Sequence, residues 1–570
     1  MAGMFKGILV IVCFAGYINY FVNVKRYSIF VVPAVVVTSV SGCLYIAGLI
    51  NIMPLFVYLI LGTGIFLLIY YRKDIKIKAA IKEHGFAVFL CAVLFAYLLY
   101  FTAGGVYEDG DTMTHWGIIV KTMYYGDRFP NFTDTVISYQ SYPPATACWI
   151  YFILKLFGYG EGKALFAQGF WMLSCAISLF SLNKSKRKAW DLVTAILALF
   201  LMQNMGGLLV DTILSLVVIA CFVLISEHRS DKRMLLISVL PFSIVIPLIK
   251  NSGMLFAFFL LVIMYLLIYK QNGWRNALKL CGIPAAVSIA GWYLWEAHIK
   301  MVYVQANATR HSLSIGYMKE VFGEKTGEDI RTIIQKYMAT WLSWNDSYEW
   351  QAVILLVVIA GLCVFACGKR AGLFPGVVLA EYIIYKICLL IMYLVNMPGS
   401  NALAIASYSR YQKTFSLIMI ALAVWMVFEY IIPAKENSLF GKISFFAIFA
   451  VTALLMYRIP YTELLRPDYQ NGGNHRKLVK MMNEGNYGLR NKDKVVVYDD
   501  YWLNFHFVCF TFNNQACDSF TDITAIEEVL ATNEKQYKYL IILEWNQEIK
   551  ELLKKYGYME DSECIKLQSD

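Results

Sequence analysis

The chain has 570 residues, of which 59% are hydrophobic and 16% are charged, and its formal net charge is +10. A mean hydropathy of +0.55 leaves far too little polar surface for a water-soluble protein, so the soluble classes are excluded. The positive charge collects largely in short loops between apolar runs, where it orients a membrane protein and attracts anionic lipid. It does not indicate a nucleic-acid partner.

Apolar runs of roughly 17 to 23 residues recur from the N-terminus to about Pro460, each long enough to cross a bilayer as a helix. We count about fourteen such runs. Their approximate centres are Val10, Val37, Leu59, Ala92, Met172, Ala198, Val217, Ile244, Leu260, Val287, Val357, Tyr385, Ala421 and Phe449. The sequence therefore predicts an all-α polytopic membrane domain over residues 1–460, with about fourteen transmembrane helices.

Clusters of Lys and Arg fall on alternate loops, as in Lys25-Arg26, Lys184 to Lys188 and Lys369-Arg370. Such clusters stay on the cytoplasmic side, and with fourteen helices all of them lie on one side. The remaining loops are then extracytoplasmic, and two of them are long, covering residues 104–161 and 300–349. The functional surface is therefore predicted to face outward from the cell membrane.

After Tyr461 the composition changes to mixed charge, which predicts a small extracytoplasmic α/β domain over residues 461–570. The predicted strands are Lys494 to Tyr498 and Tyr537 to Leu543, and the predicted helices are Asp522 to Ala531 and Gln547 to Tyr556. This segment carries no motif for a nucleophile, a metal or a phosphate. Acceptor recognition or docking to a partner is one interpretation, and a structural cap is the other.

The first outer loop opens with an acidic cluster, Tyr107-Glu108-Asp109-Gly110-Asp111-Thr112-Met113-Thr114-His115-Trp116. A loop or a helix start could aim Asp109 and Asp111 at one point, and Asp111 and His115 share a helical face. One carboxylate could then remove a proton while the other positions it or raises its pKa by repulsion. The pair could also hold a divalent cation, Mg²⁺ or Mn²⁺. The alternative is that Asp109 caps the following helix and the other residues are solvated.

The same loop continues through Ser141-Tyr142-Pro143-Pro144 into the apolar stretch Ala145 to Phe157, which is too short to span a membrane comfortably. We expect that stretch to be a helix lying at the membrane interface.

Charged residues recur at the outer ends of later helices, namely Asp211, Lys250 and Arg410. A lysine there could simply reach the lipid headgroups. Cations beside an outer acidic site also suit a phosphate-bearing lipid, because they bind the phosphate while a carboxylate handles the acceptor. We therefore expect Lys250 and Arg410 to bind phosphate.

In their order and sidedness, these motifs resemble the GT-C class of integral-membrane glycosyltransferases. Asp109-x-Asp111 with His115-Trp116 is similar to the acidic-x-acidic and His-Trp loop of dolichyl-phosphate-glucose-dependent glucosyltransferases. Pro143-Pro144 resembles the Pro-Pro of lipid A aminoarabinose transferases and protein O-mannosyltransferases. The later motifs are Tyr142-Pro143-Pro144, Lys155-Leu156-Phe157-Gly158, Asp211, Lys250-x-x-Gly253 and Arg410-Tyr411.

This resemblance implies an inverting transferase that moves one sugar from a polyprenyl-phosphate carrier to a glycan or lipid-linked acceptor of the cell envelope. It implies Asp109 as the base, with Asp111 a close second. Lipid A transferases have a Lys where Tyr142 stands, so phosphate binding falls to the cationic residues Lys250, Arg410, Arg310 and His311. The expected substrate-binding residues are His115, Trp116, Tyr142, Asp211 and Tyr411.

Two other functions fit a chain of this kind. A transporter or flippase would place its ionisable residues near mid-membrane and show two similar halves, whereas here they cluster at outer helix ends. A polysaccharide polymerase or ligase shares the architecture but uses a diphosphate-linked donor. The type of donor that is consumed separates a polymerase or ligase from a polyprenyl-phosphate-dependent transferase.

Overall fold

The computed structural model describes residues 2–72, 81–107, 109–303, 314–343, 348–432, 438–458, 473–484, 487–499, 505–559 and 561–567. The predicted boundary between residues 460 and 461 lies outside these ranges.

Helices make up the structure from the N-terminus to residue 458. In chain order they are α1 (Ala2–Asn19, continued by a π-helical turn Tyr20–Val24), α2 (Val32–Leu49), α3 (Met53–Tyr70), α4 (Gly85–Thr102), α5 (Ile118–Gly126), α6 (Ala145–Phe157), α7 (Glu161–Ala176), α8 (Lys188–Leu201), α9 (Asp211–His228), α10 (Lys232–Val245), α11 (Gly253–Asn272), α12 (Trp274–Val302), α13 (Ile315–Gly323), α14 (Gly327–Leu342), α15 (Glu349–Cys367), α16 (Leu373–Val395), α17 (Gly399–Leu403), α18 (Tyr408–Met426, continued by a π-helical turn Val427–Ile431) and α19 (Leu439–Arg458).

Eleven of the helices in the described part of the chain are long and apolar enough to cross a membrane. All fourteen predicted centres lie inside helices, and three of them are in helices that are not among these eleven, namely α8, α10 and α19. The chain is therefore a multi-pass membrane protein, and the predicted all-α polytopic class is confirmed.

Two helices form the centre of the bundle. In α18 and its continuation 89% of the apolar stretch is buried, and in α9 the value is 83%, against 17% for α1. Ser215 of α9 donates a hydrogen bond to the Thr414 carbonyl at 2.9 Å, and Trp425 of α18 donates to the Ser226 hydroxyl at 2.8 Å. These contacts join the two helices near both of their ends. The residues in their first turns are therefore held in fixed positions relative to each other.

The first outer loop contains a π-helical turn, Thr112–Gly117, that runs directly into α5, and it also contains α6. Helix α6 has the bounds that the apolar pattern predicts, and protein covers most of its surface. Eleven of its thirteen residues are buried, and it packs against α2, α5 and α7. Its position at the membrane interface stays a prediction, but its apolar sides are covered by protein and are not free to enter lipid.

The second outer loop contributes α13 and α14, and α14 begins with a capping box in which Thr326 and Asp329 bond each other's backbone N–H groups. The hydroxyl of Tyr337 on α14 donates to the Lys386 carbonyl of α16 at 2.7 Å. This loop is therefore packed onto the C-terminal half of α16.

The C-terminal part is a small α/β unit. Its elements are α20 (Gly473–Glu484), β1 (Val495–Tyr498), α21 (Phe505–Phe512), β2 (Asp518–Phe520), α22 (Ile523–Thr532), β3 (Tyr539–Ile542), α23 (Gln547–Lys555) and β4 (Cys564–Lys566). The sheet order is β2-β1-β3-β4, with β1 parallel to both neighbours and β4 antiparallel to β3.

Both faces of this sheet are buried. Val495 and Val497 face one apolar cluster, and Val496 and Tyr498 face the other. Burial on both faces is what an uninterrupted apolar run in a parallel strand predicts. The predicted α/β character of this segment is thus observed, and the two predicted strands and two predicted helices correspond to β1, β3, α22 and α23, while α20, α21, β2 and β4 were not predicted.

Candidate active site

A cavity of about 510 Å³ lies among the first turns of the two central helices, the first outer loop and the C-terminal half of α16. Its polar wall includes Asp111, Asp211, Lys250 and Arg410. Its apolar wall is built largely by α16, and Leu255 of α11 and Met318 of α13 also line it. The apolar residues on that wall include Leu255, Leu389, Ile391, Met392 and Val395.

Arg410 joins two carboxylates that come from different parts of the chain. Its Nη1 donates to Asp111 Oδ2 at 2.6 Å, and its Nε lies 3.4 Å from Asp211 Oδ2. Arg410 lies in the first turn of α18, where the helix dipole opposes a cation, so the two carboxylates compensate an otherwise unfavourable position. Asp211 is the first residue of α9, where the dipole favours an anion.

Lys250 completes the charged group. Its ammonium pairs with Asp211 Oδ1 and lies 4.3 Å from the centre of the Tyr411 ring. The spacing of the Lys-x-x-Gly motif forms a turn, in which the Gly253 N–H donates to the Lys250 carbonyl at 2.7 Å. A Cβ at Gly253 would lie 2.1 Å from the Ile246 carbonyl oxygen, so only glycine allows this turn to close.

The segment before α18 is strained where it borders the cavity. Ile405 and Ser407 both have positive φ angles, 47° and 60°, a region that residues other than glycine rarely adopt. The Tyr393 hydroxyl donates to the Ala406 carbonyl at 2.8 Å and helps to fix this conformation. Strain of this kind persists only where the surroundings enforce it, and here it sets the direction in which α18 presents Arg410.

Aromatic rings form the remaining wall. His115 stacks on Tyr139 with ring centres 3.7 Å apart, and Trp116 lies 4.9 Å from Tyr142. His115 Nδ1 is 2.7 Å from the Thr114 hydroxyl and 3.9 Å from Asp111 Oδ1. Burial raises the pKa of Tyr142 above its ordinary value, so its hydroxyl remains protonated and able to donate a hydrogen bond.

Asp109 and Asp111 have different surroundings. Asp109 accepts from the Thr112 N–H at 2.6 Å and from the Thr112 hydroxyl at 2.5 Å, and that hydroxyl accepts from the Leu208 N–H at 2.9 Å. Asp109 therefore caps the helical turn and ties it to the segment before α9. The side chain of Asp111 is 45% exposed and lines the cavity.

Within the described ranges, no three His, Cys, Asp or Glu side chains are placed to hold a metal ion. Arg310 and His311, expected to bind phosphate, lie outside the described residues. The other residues expected from the sequence line the cavity, with the exception of Asp109.

Some residues near the site were not expected from the sequence. Tyr139 and Tyr385 line the cavity, and the Tyr385 hydroxyl donates to the Tyr411 carbonyl at 2.6 Å. Behind that wall, Lys386 and Glu349 form an ion pair at 2.8 Å with side chains 0% and 1% exposed. A charged residue inside an apolar span is itself a signal, and Lys386 could have been singled out on that ground.

The similarities of this chain to known proteins are structural. No family model and no curated protein matches the chain. The chain is similar to the crystal structure of ArnT from Cupriavidus metallidurans bound to undecaprenyl phosphate, with a TM-score of 0.38, 13% identity, and coverage of 83% of this chain and 95% of that chain. It is similar to the apo structure of the same protein with a TM-score of 0.39, 12% identity, and coverage of 83% and 94%. At these values the likeness does not indicate a function, and the functional evidence is the geometry of the cavity.

Proposed function

We propose that the protein is an inverting glycosyltransferase that moves a single sugar from a polyprenyl-phosphate carrier to a hydroxyl-bearing acceptor on the extracytoplasmic face. The observation that carries this proposal is the position of Arg410, which joins Asp111 to Asp211 at one end of a cavity whose other wall is apolar. That combination of charge and apolar surface matches a phosphate attached to a lipid tail.

Arg410 and Lys250 are the proposed ligands of the donor phosphate. A guanidinium binds two phosphate oxygens at once, and an ammonium adds a point charge beside it. Asp211 contacts both cations and lies 7% exposed between them, so its role is to hold them together. Without that carboxylate, two cations this close would repel each other.

The lipid tail is proposed to follow α16. Ile391 lines the cavity and is at the same time 50% exposed on the outer surface of the helix. The cavity therefore borders an exposed apolar surface of α16, along which a polyprenyl chain can lie while its phosphate reaches Arg410. The acceptor is proposed to be a glycan or a lipid-linked molecule of the cell envelope.

Asp111 is the proposed general base, because its carboxylate lines the cavity while both oxygens of Asp109 bond Thr112. Asp111 takes the proton of the acceptor hydroxyl as that oxygen forms a bond to the anomeric carbon. The bond from the anomeric carbon to the phosphate oxygen breaks, and its electron pair leaves with the polyprenyl phosphate. Arg410 and Lys250 stabilise the charge that develops on this leaving group. One displacement inverts the anomeric configuration.

The sugar is proposed to lie against His115, Trp116 and Tyr142. Their rings form one wall of the cavity next to Asp111, and aromatic faces pack well against the apolar faces of sugar rings. Tyr411 is held between Lys250 and the Tyr385 hydroxyl and would contact the phosphate end of the donor.

The test is donor consumption by the purified full-length protein in lipid nanodiscs. Synthetic polyprenyl-phosphate monosaccharides and their diphosphate-linked counterparts are supplied separately, and release of the carrier lipid is measured. We expect release from a monophosphate donor only. Consumption of the diphosphate donor alone would point to a polymerase or ligase, and consumption of neither, with sugar lipid exchanged across vesicles, would point to a flippase.

A further inference from the structure

The C-terminal unit inserts an aromatic side chain into the membrane domain. Phe510 on α21 is 3% exposed and belongs to the same apolar cluster as the bundle helices. Its ring lies 5.6 Å from that of Tyr107, which is buried two residues before Asp109. Tyr107 in turn packs closely on Gly117, where a Cβ would lie 2.7 Å from the tyrosine ring.

A buried lysine fixes the end of α21. Lys121 on α5 is 5% exposed and donates to the Phe510 and Thr511 carbonyls at 2.7 and 2.6 Å. These are among the last four carbonyls of the helix, which have no partner inside it, and a cation is favoured at that end of the helix dipole. Lys121 lies one turn after the π-helical turn that carries His115 and Trp116.

A second polar contact lies on the other side of the acidic cluster. Glu161, the first residue of α7, accepts from the Tyr107 N–H at 2.7 Å and lies 3.1 Å from His475 Nε2 of α20. Arg476 of α20 also donates to the Gly104 carbonyl at 3.0 Å. The C-terminal unit therefore contacts the chain both before and after the segment that carries Asp111.

We propose that the C-terminal unit holds the Asp111 segment in its working geometry, and that Lys121 is a positioning residue acting through α21. The inference rests on the proposed function for its kinetic consequence, but the contact itself does not. The unit contacts residues 104–107 on one side and Lys121 on the other, so the segment between these anchors loses the freedom of an outer loop. A base held in this way meets the acceptor hydroxyl in one orientation, which is the condition for efficient proton transfer.

The test compares Lys121→Met with a matched control, Lys163→Met, in the full-length protein in nanodiscs. Lys163 also donates to two backbone carbonyls at a helix end, those of Phe157 and Gly158, but it is exposed and outside the contact with the C-terminal unit. Hydrogen exchange is measured over residues 505–512 and 109–117, and kcat and donor KM are measured in parallel. We expect Lys121→Met to speed exchange in both segments and to lower kcat on the order of tenfold to a hundredfold, with donor KM within about twofold. The control should change none of these.

Faster exchange over residues 505–512 with unchanged exchange over 109–117 and unchanged kcat would overturn the proposal. So would a fall in donor affinity equal to the fall in turnover, since that pattern indicates a damaged binding site. If Lys121→Met does not fold, Phe510→Ala tests the same coupling, because it removes the ring that packs on Tyr107 and keeps the carbonyl that Lys121 binds. If the wild-type protein consumes no donor, the proposed function fails, and exchange over residues 109–117 alone then decides the positioning role.

Discussion

Arg410 and Asp111 lie 299 positions apart in the chain, and their side chains meet at 2.6 Å on the wall of the cavity. The pair joins the first outer loop to the start of a central helix. Binding of a phosphate to Arg410 would compete with this contact and would release Asp111 toward the acceptor. The same two residues can thus link donor binding to the availability of the base.

Mutation of Asp109 and of Asp111 should have different effects on turnover. We expect Asp111→Asn to reduce turnover by about 10² to 10⁴, the usual contribution of a general base, with little change in folding. Asp109→Asn should retain most activity, because Asn also caps helices well. Carrier-lipid release and thermal unfolding of both variants are the measurements. A larger loss of turnover for Asp109→Asn than for Asp111→Asn would assign the base to Asp109.

Arg410→Lys tests the geometry of phosphate binding. A lysine keeps the charge but cannot bond two oxygens in one plane, and it cannot reach Asp111 and Asp211 together. We expect donor KM to rise by about tenfold, equivalent to about 1.4 kcal/mol of binding. Lys163→Met serves again as the control for a lost surface cation. An unchanged KM would remove Arg410 from the donor site.

The buried pair of Lys386 and Glu349 should matter for stability and not for donor affinity. Lys386→Met leaves the Glu349 carboxylate buried without its cation, which costs about 3 to 5 kcal/mol. The double variant Lys386→Met/Glu349→Gln removes both charges and should recover much of that loss. Thermal unfolding in nanodiscs measures both. Equal destabilisation by the single and the double variant would show that the charges do not interact.

Lys121 also predicts a dependence of stability on pH. Burial lowers the pKa of Lys121 to about 8, while Glu161 opposes the shift. In the unfolded chain the amine titrates at about 10.4, so between about pH 8 and 10 the unfolded state binds more protons than the folded one. Stability from this group therefore rises with pH over that window, by at most about 1.4 kcal/mol per pH unit.

The corresponding measurement is the difference in unfolding midpoint between the wild type and Lys121→Met from about pH 7 to 10. We expect the wild type to gain relative to the variant as the pH rises. A difference that is constant across this range would mean that Lys121 titrates at its ordinary pKa.

Much of the fold follows from the sequence, because length and apolar content decide which segments cross a membrane. All fourteen centres lie in helices, and the two strands and two helices predicted for the C-terminal unit are observed as β1, β3, α22 and α23, whereas α20, α21, β2 and β4 were not predicted. Helix α6 shows what such a pattern does not predict. A largely apolar stretch of thirteen residues looks the same whether lipid or protein covers it, so the burial of α6 among α2, α5 and α7 could not be predicted.

The sequence allowed most residues of the candidate site to be predicted, but not the contacts that they make with one another. Residue types and outer helix ends pointed to Asp211, Lys250 and Arg410, and they line one cavity. The cap that occupies Asp109 depends on Thr112 and on its contact with the Leu208 backbone, 96 positions further along the chain. The contacts of Lys121 with α21 span 389 and 390 positions, and no local pattern reports a contact of that separation.

The hydrogen bonds between α9 and α18, from Ser215 to Thr414 and from Trp425 to Ser226, bear on how a substrate enters. Two helices that are joined near both ends cannot part to admit a bulky molecule. Asp211 and Arg410 then form the fixed side of the site, while Ile391 of α16 borders both the cavity and the surface, so a route along α16 does not require α9 and α18 to part. A lipid-borne substrate would therefore arrive sideways out of the bilayer, while its charged end meets a site that does not move.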